Sequence, residues 1–307
     1  MIFSSTFKNA AAALAACTLF VCQLSTAAQP SALVSIKPLQ LIASDIGRGV
    51  LEVTTLIPPS ASPHDYALRP SDVKLIKRAG VTYWIGPELE TFLDKVFKGH
   101  AENSVNFSDY IQPAQRGEEA HDEHASHTKH AGHDHSNGDP HIWLAPEGAL
   151  AIAERMAQTL SARYPQHSAT FAANLVQFKQ QLTALDARIT QQFAPLKQAS
   201  FIVFHDGYSA FVEHYGLHQL AALTLNPAQQ PGAKHLAKLR RLVASEKPSC
   251  LFSEPQFNPS AVESIAAASQ TKVVTIDPLG SEINSEQNGY TTLLRGFADQ
   301  FIRCLSN

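Results

Sequence analysis

Apolar positions along this chain fall into short runs separated by longer amphipathic stretches. Residues 33–36, 51–57, 81–85 and 105–107 are apolar runs of strand length, the first three bounded by Pro or Gly. Helical spacing fills the gaps. Pro38 opens a helix through Ile46, and Arg69-Pro70-Ser71-Asp72 starts a second with Val73, Ile76 and Ala79 on one side and Gly80 as its stop. Leu89, Phe92, Leu93, Val96 and Phe97 mark a third. The second half repeats the rhythm. Strands are predicted at 201–204, 221–225, 250–252 and 273–276, with helices at 207–215, from Pro231 through Leu236, Leu239 and Leu242, at 261–268 and at 290–305. Alternating strands and helices predict an α/β protein with two parallel four-stranded sheets, one in each half.

Between the halves the pattern changes. A helix is predicted from Pro146 to Tyr164. A second follows over 168–193, with Phe171, Leu175, Phe178, Leu182, Leu185 and Ile189 in one stripe at alternating spacings of four and three. At 1.5 Å per residue it is about 39 Å long, enough to join two lobes. Residues 112–138 have no apolar periodicity and are expected to form a mobile loop when metal-free. The expected organisation is an N-terminal lobe over 29–165, with this loop at 116–138 inside it, a linking helix over 166–194 and a C-terminal lobe over 195–307.

Residues 1–28 read as a secretory signal. Lys8 is followed by an apolar run from Ala10 to Cys22, too short to span a membrane, and small residues favour cleavage after Ala27 or Ala28. Leu14-Ala15-Ala16-Cys17 resembles a lipoprotein box, with Cys17 as the acylated residue. The residues after Cys17 stay apolar, which favours soluble export to the periplasm. Without the leader 23 cations face 27 anions, a net charge of −4, so no basic field invites nucleic acid. Export leaves Cys250 and Cys304, which invite one disulfide; two buried free thiols are the alternative.

The candidate chemistry is histidine chemistry. His64 lies in Ser62-Pro63-His64-Asp65-Tyr66, His141 in Asp139-Pro140-His141-Ile142-Trp143 and His205 in Phe204-His205-Asp206-Gly207. His205 and Asp277 end predicted strands, and His64 follows one, which is the edge where open α/β sheets bind ligands. Three neutral imidazoles with a carboxylate or water make a tetrahedral zinc site, so His64, His141 and His205 are the expected ligands. Asp277 is the candidate fourth, with a turn-capping role before Pro278 as its alternative. Asp65, Asp139 and Asp206 are placed to orient the neighbouring rings. Glu254, at another strand end, is a weaker ligand candidate. His121, His124, His127, His130, His133 and His135, interleaved with acidic residues, suggest a looser accessory site for zinc or copper.

These motifs, with Ala67-Leu68-Arg69-Pro70-Ser71-Asp72, Ser253-Glu254-Pro255-Gln256-Phe257 and Ile276-Asp277-Pro278-Leu279-Gly280, resemble the periplasmic zinc-binding proteins of the ZnuA type. The resemblance covers the whole mature chain. It implies two α/β lobes joined by one long rigid helix, with the metal in the cleft between them. It further implies a histidine-rich loop matched here by 116–138, and a disulfide at Cys250 and Cys304. It implies Zn2+ as the transported ligand and an inner-membrane ABC permease as the partner; a monomer is expected. Zinc members of the wider family carry histidine at the third ligand position, as His205 is here, whereas manganese members carry a carboxylate in place of one histidine. One departure is Pro63, which stands where some zinc members place Glu, leaving the fourth position to water or Asp277. The alternatives are a manganese or iron component of a related importer, a surface adhesin of the same family, and a zinc hydrolase. The chain lacks the HExxH motif that would favour the last.

Overall fold

A computed structural model of the chain describes residues 29–99, 101–111, 138–224, 227, 229, 231–284 and 288–306. The leader with Cys17, and all six histidines of the 121–135 run, lie outside these residues.

The N-terminal sheet is built from β1 (Ser31–Val34), β2 (Glu52–Thr55), β3 (Thr82–Trp84) and β4 (Ser104–Asn106), all parallel in the order β2-β1-β3-β4. Helices α1 (Lys37–Ile46), α2 (Pro70–Arg78) and α3 (Thr91–Phe97) follow its first three strands. The C-terminal sheet repeats this plan with β5 (Ser200–His205), β6 (His218–Thr224), β7 (Cys250–Ser253) and β8 (Lys272–Thr275), parallel in the order β6-β5-β7-β8. Its helices are α6 (Ser209–Tyr215), α7 (Ala233–Glu246) and α8 (Ser260–Ser269), with α9 (Gly289–Leu305) closing the chain. Each strand of one sheet therefore has a topological counterpart in the other.

Two helices lie between the sheets in sequence, α4 (Pro146–Arg163) and α5 (Ser168–Phe193). Five members of the α5 stripe, Phe171, Phe178, Leu182, Leu185 and Ile189, are buried, and Leu175 is partly so. The C-terminal helix α9 packs on its own sheet, where Phe301 meets Phe201 and Phe252, and also reaches across to α1 and α5. Gly289 makes this approach possible: a Cβ there would lie 2.8 Å from Leu41 Cδ2. One apolar core consequently runs from Val34 and Ile42 through Phe178 and Ile189 to Phe201 and Phe301. Trp143 and Tyr290 are fully buried within it. Trp143 donates from Nε1 to the carbonyl of Pro278 at 2.9 Å, and Tyr290 donates from its hydroxyl to the carbonyl of Trp143 at 2.7 Å.

Cys250 on β7 and Cys304 on α9 form a disulfide with their Cα atoms 6.0 Å apart, which fastens the last helix to the C-terminal sheet. Helix α2 ends at Arg78 with Ala79 as its C-cap, just before Gly80, which is not in a left-handed conformation. Gly80 leaves room for Tyr164, whose hydroxyl would lie 3.0 Å from a Cβ at that position. Strand β1 lies two residues earlier than its apolar run suggests, because Ile36 forms the N-cap of α1 and its side chain joins the core from there.

Candidate metal centre

The carboxyl ends of the two sheets face each other, and each contributes to one cluster. His205 is the last residue of β5, and Gly207 follows with no side chain. His64 lies in the connection from β2 to α2, where its backbone N–H donates to Ser62 Oγ at 3.2 Å. His141 begins a single 3-10 turn, Ile142–Leu144, that leads into α4. One ligand atom from each of the three imidazoles falls within 4.8 Å of the others, and no other such group exists among the described residues. His141 and His205 are buried and His64 is half-buried.

Hydrogen bonding sets how the rings present themselves. His141 donates from Nδ1 to Asp139 Oδ1 at 2.7 Å, and the same oxygen accepts the His141 backbone N–H at 2.9 Å. The other Asp139 oxygen accepts the backbone N–H of Ser209, at the start of α6, at 2.8 Å. His205 donates from Nδ1 to Glu254 Oε1 at 2.5 Å. With both Nδ1 protons directed at carboxylates, both Nε2 atoms present lone pairs. Those lone pairs converge: Nε2 of His141 lies 3.2 Å from Nε2 of His64 and 3.2 Å from Nε2 of His205. Two nitrogens at that separation, each about 2.05 Å from one ion, subtend about 103° at it, close to a tetrahedral angle. The arrangement calls for a cation. Burial pushes the His205 imidazole down, but Glu254, with Asp139 and Asp206 behind it, outweighs this and raises its pKa. Burial pushes the Asp139 carboxyl up, but His141 and backbone N–H groups outweigh this and hold it low.

Of the two roles open to Asp277, fourth ligand or turn cap, its hydrogen bonds match the turn cap. Its carboxylate accepts the backbone N–H groups of Leu279, Gly280 and Ser281 at 3.0, 3.1 and 2.7 Å, the Ser281 hydroxyl at 2.6 Å and the Gln256 amide at 3.2 Å. Both oxygens are spent on the turn after β8, and the residue is outside the imidazole cluster. Asp206 likewise turns away and accepts from Gln219 at 3.0 Å; the orienting role beside His205 belongs to Glu254. Asp65 is exposed.

The cavity at the cluster has a volume of about 10 Å³, lined by Pro63, His64, His141, His205, Glu254 and Phe257 among others. That is space for about one water-sized sphere, far below the few hundred Å³ an organic substrate occupies. A larger cavity of about 630 Å³ lies beyond Asp139 and is lined by none of the three histidines.

A family model described as zinc-uptake complex component A, periplasmic (ZnuA), matches residues 33–304. The chain belongs to this family. Among curated ZnuA proteins named as high-affinity zinc uptake system proteins, that of Yersinia pestis is 36% identical over 296 residues, 91% of this chain and 92% of its own length. The Haemophilus ducreyi protein is 37% identical over 302 residues, 94% of this chain and 97% of its own. A crystal structure of ZnuA aligns with TM-score 0.74 at 26% identity, covering 89% of this chain and 98% of the other. A ZnuA deletion mutant with zinc bound aligns with TM-score 0.73 at 26% identity, covering 91% and 98%. The zinc-binding protein TroA of Treponema pallidum reaches TM-score 0.77 at 20% identity over 90% of this chain and 99% of its own, a likeness of fold alone. The family is one of periplasmic metal-binding proteins rather than enzymes.

Two contributors to the centre have roles that the sequence did not reveal, although Glu254 stood there as a weaker ligand candidate. Glu254 reaches His205 only because β7 lies beside β5. Gly207 reads as an ordinary helix start, yet a Cβ there would overlap His205 Nε2 and lie 2.7 Å from His141 Cε1.

Proposed function

We propose that this protein captures Zn2+ in the periplasm with His64, His141 and His205 and delivers it to the inner-membrane permease of an ABC importer. The observation that carries the reading is the convergence of Nε2 lone pairs whose tautomers are set by Asp139 and Glu254. Imidazole favours zinc over manganese, which prefers harder oxygen donors, so the donor set supports zinc as the cargo. Asp277 is spent on its turn, and water completes the coordination. The name borne by the relatives, high-affinity zinc uptake system protein, supports import as the purpose. Capture without turnover agrees with the ion-sized cavity. Residues 1–28 act as the export signal, and the histidines at 121–135 serve as an accessory collecting site.

Release follows from where the ligands sit. His141 and His205 are anchored by buried carboxylates, whereas His64 rides on the half-exposed connection 58–69. The shared core resists lobe opening, so local displacement of His64 frees the ion.

The test is a zinc competition titration against a chelator, with manganese as challenger, on the mature chain lacking 116–138. One tight zinc site that manganese does not displace, and that His205→Ala abolishes, is the expected result. Loss of tight binding on removing 116–138 would move the primary site to that run. Protons compete for the imidazoles, and the carboxylates around His205 raise its pKa above the ordinary 6.5, so affinity begins to fall above that pH and goes on falling below it. An affinity that is flat between pH 7.5 and 5.5 would exclude a three-histidine site.

A further inference from the structure

The two lobes share one topology, so every helix after a strand has a counterpart. Helix α2 follows β2 and α7 follows β6, and these strands occupy the same edge of their sheets. Both helices start at the strands' carboxyl edge, the side on which His64 and His205 lie. Both are also cationic. On α2, Lys74, Lys77 and Arg78 are exposed, and on α7, Lys234, Lys238 and Arg241 are exposed. The one carboxylate of α2, Asp72, is buried and accepts from Arg69 N and Tyr66 Oη. Helix α7 has none in its first turn.

Helix stability does not explain these charges. Lys74 and Arg78 are four residues apart, as are Lys234 and Lys238, and Lys238 and Arg241 are three apart; like charges at such spacings are destabilising. Lys234 lies in the first turn of α7, where the helix dipole opposes a cation. Lys77 and Arg78 do gain from the dipole at the C-terminal end of α2. Among the described residues no ion pair neutralises any of the six, in a chain whose net charge is negative. Leu75 stands among the α2 cations 43% exposed, one of two large apolar side chains so exposed among the described residues. Cations around an exposed Leu make a surface suited to an acidic protein partner.

We propose that α2 and α7 are paired docking faces, one on each lobe, for an acidic surface presented twice by a partner built of two like subunits. Resting on the delivery reading above, that partner is the membrane permease. Duplication in the two lobes supplies the two equivalent contacts that a two-fold partner needs. The acidic residues sit on the permease, and the cationic faces set encounter and register while the imidazole cluster holds the ion.

The experiment uses the reconstituted importer from the same host in proteoliposomes. ATPase stimulation by zinc-loaded protein is read as a function of protein concentration and salt. Lys74→Glu with Arg78→Glu changes one face; Lys234→Glu, Lys238→Glu and Arg241→Glu change the other. Each set is expected to leave the zinc titration unchanged and to raise the half-maximal concentration at least ten-fold. Together they should abolish stimulation, and wild-type stimulation should weaken as salt rises. Unchanged half-maximal concentrations in both sets would overturn the inference and leave the delivery reading standing. Equal binding of wild type to protein-free vesicles of anionic lipid, lost in the same variants, would also overturn it, since the faces would then read headgroups. Wild-type protein that binds zinc yet never stimulates the importer would overturn both readings.

Discussion

A methyl group at position 207 would occupy the space in which two imidazoles meet. The backbone there has no left-handed φ, so alanine is tolerated by the chain, and its nearest obstacles are the rings of His205 and His141. Gly207→Ala should therefore fold normally and lose zinc affinity by roughly 10–100-fold, the order of 1–3 kcal/mol of overpacking; a chelator titration beside a thermal melt separates the two effects. Carboxylates divide in the same way. Glu254→Gln keeps a hydrogen-bond acceptor for His205 but removes its charge, and zinc affinity should fall about ten-fold or more. Asp277→Asn should leave affinity within about two-fold while lowering stability, since that carboxylate organises a turn. A large affinity loss in Asp277→Asn would restore Asp277 as a ligand. His64, His141 and His205 stand out in the sequence because turn formers and strand ends advertise them. The roles of Glu254, read only as a weaker ligand candidate, and of Gly207 do not, because they depend on which strands are neighbours and how closely two rings approach.

The elements themselves were largely legible. Helix α5 spans 168–193 as its stripe predicts, because twenty-six residues give many turns over which a helical period declares itself. Strands were read less accurately. β6 begins at His218, before its apolar stretch, since an edge strand carries polar residues where one side meets water. The buried pairing that ties β1 to β3 was not legible at all. Glu90, in the connection after β3, is fully buried, accepts the Gly86 N–H at 3.0 Å and is hydrogen-bonded by the Ser35 hydroxyl beyond β1. Burial pushes its carboxyl up to about 7, against hydrogen bonds from Ser35 and Gly86 that favour the charged form. The folded protein thus holds a proton that the unfolded chain releases near pH 4.5. Stability contributed by Glu90 is full below that pH and falls as pH rises toward about 7, by about 3 kcal/mol in all. Glu90→Gln should flatten urea-melt stability between pH 5 and 8 by up to that amount. An unchanged slope would mean that the carboxyl titrates normally.

At the scale of the molecule, the two sheets are separate but their packing is not. Trp143 and Tyr290 bind across from one half to the other, and His214 on α6 bonds Glu147 on α4 at 2.6 Å and Asp186 on α5 at 2.8 Å. Burial pushes the His214 imidazole down, and these two carboxylates more than reverse it, so its pKa is raised and the link is strongest when the ring is charged. The division into lobes is therefore one of strand topology rather than of cohesion. A protein with two independent cores would absorb heat in two steps; one with the continuous core described here should absorb it in one. Calorimetry should show a single peak whose van't Hoff and calorimetric enthalpies agree. Zinc, seated where both halves meet, should move that whole peak upward rather than splitting it. The ion is then a fastener for the entire fold, and a melting curve becomes a direct record of whether the cargo is on board.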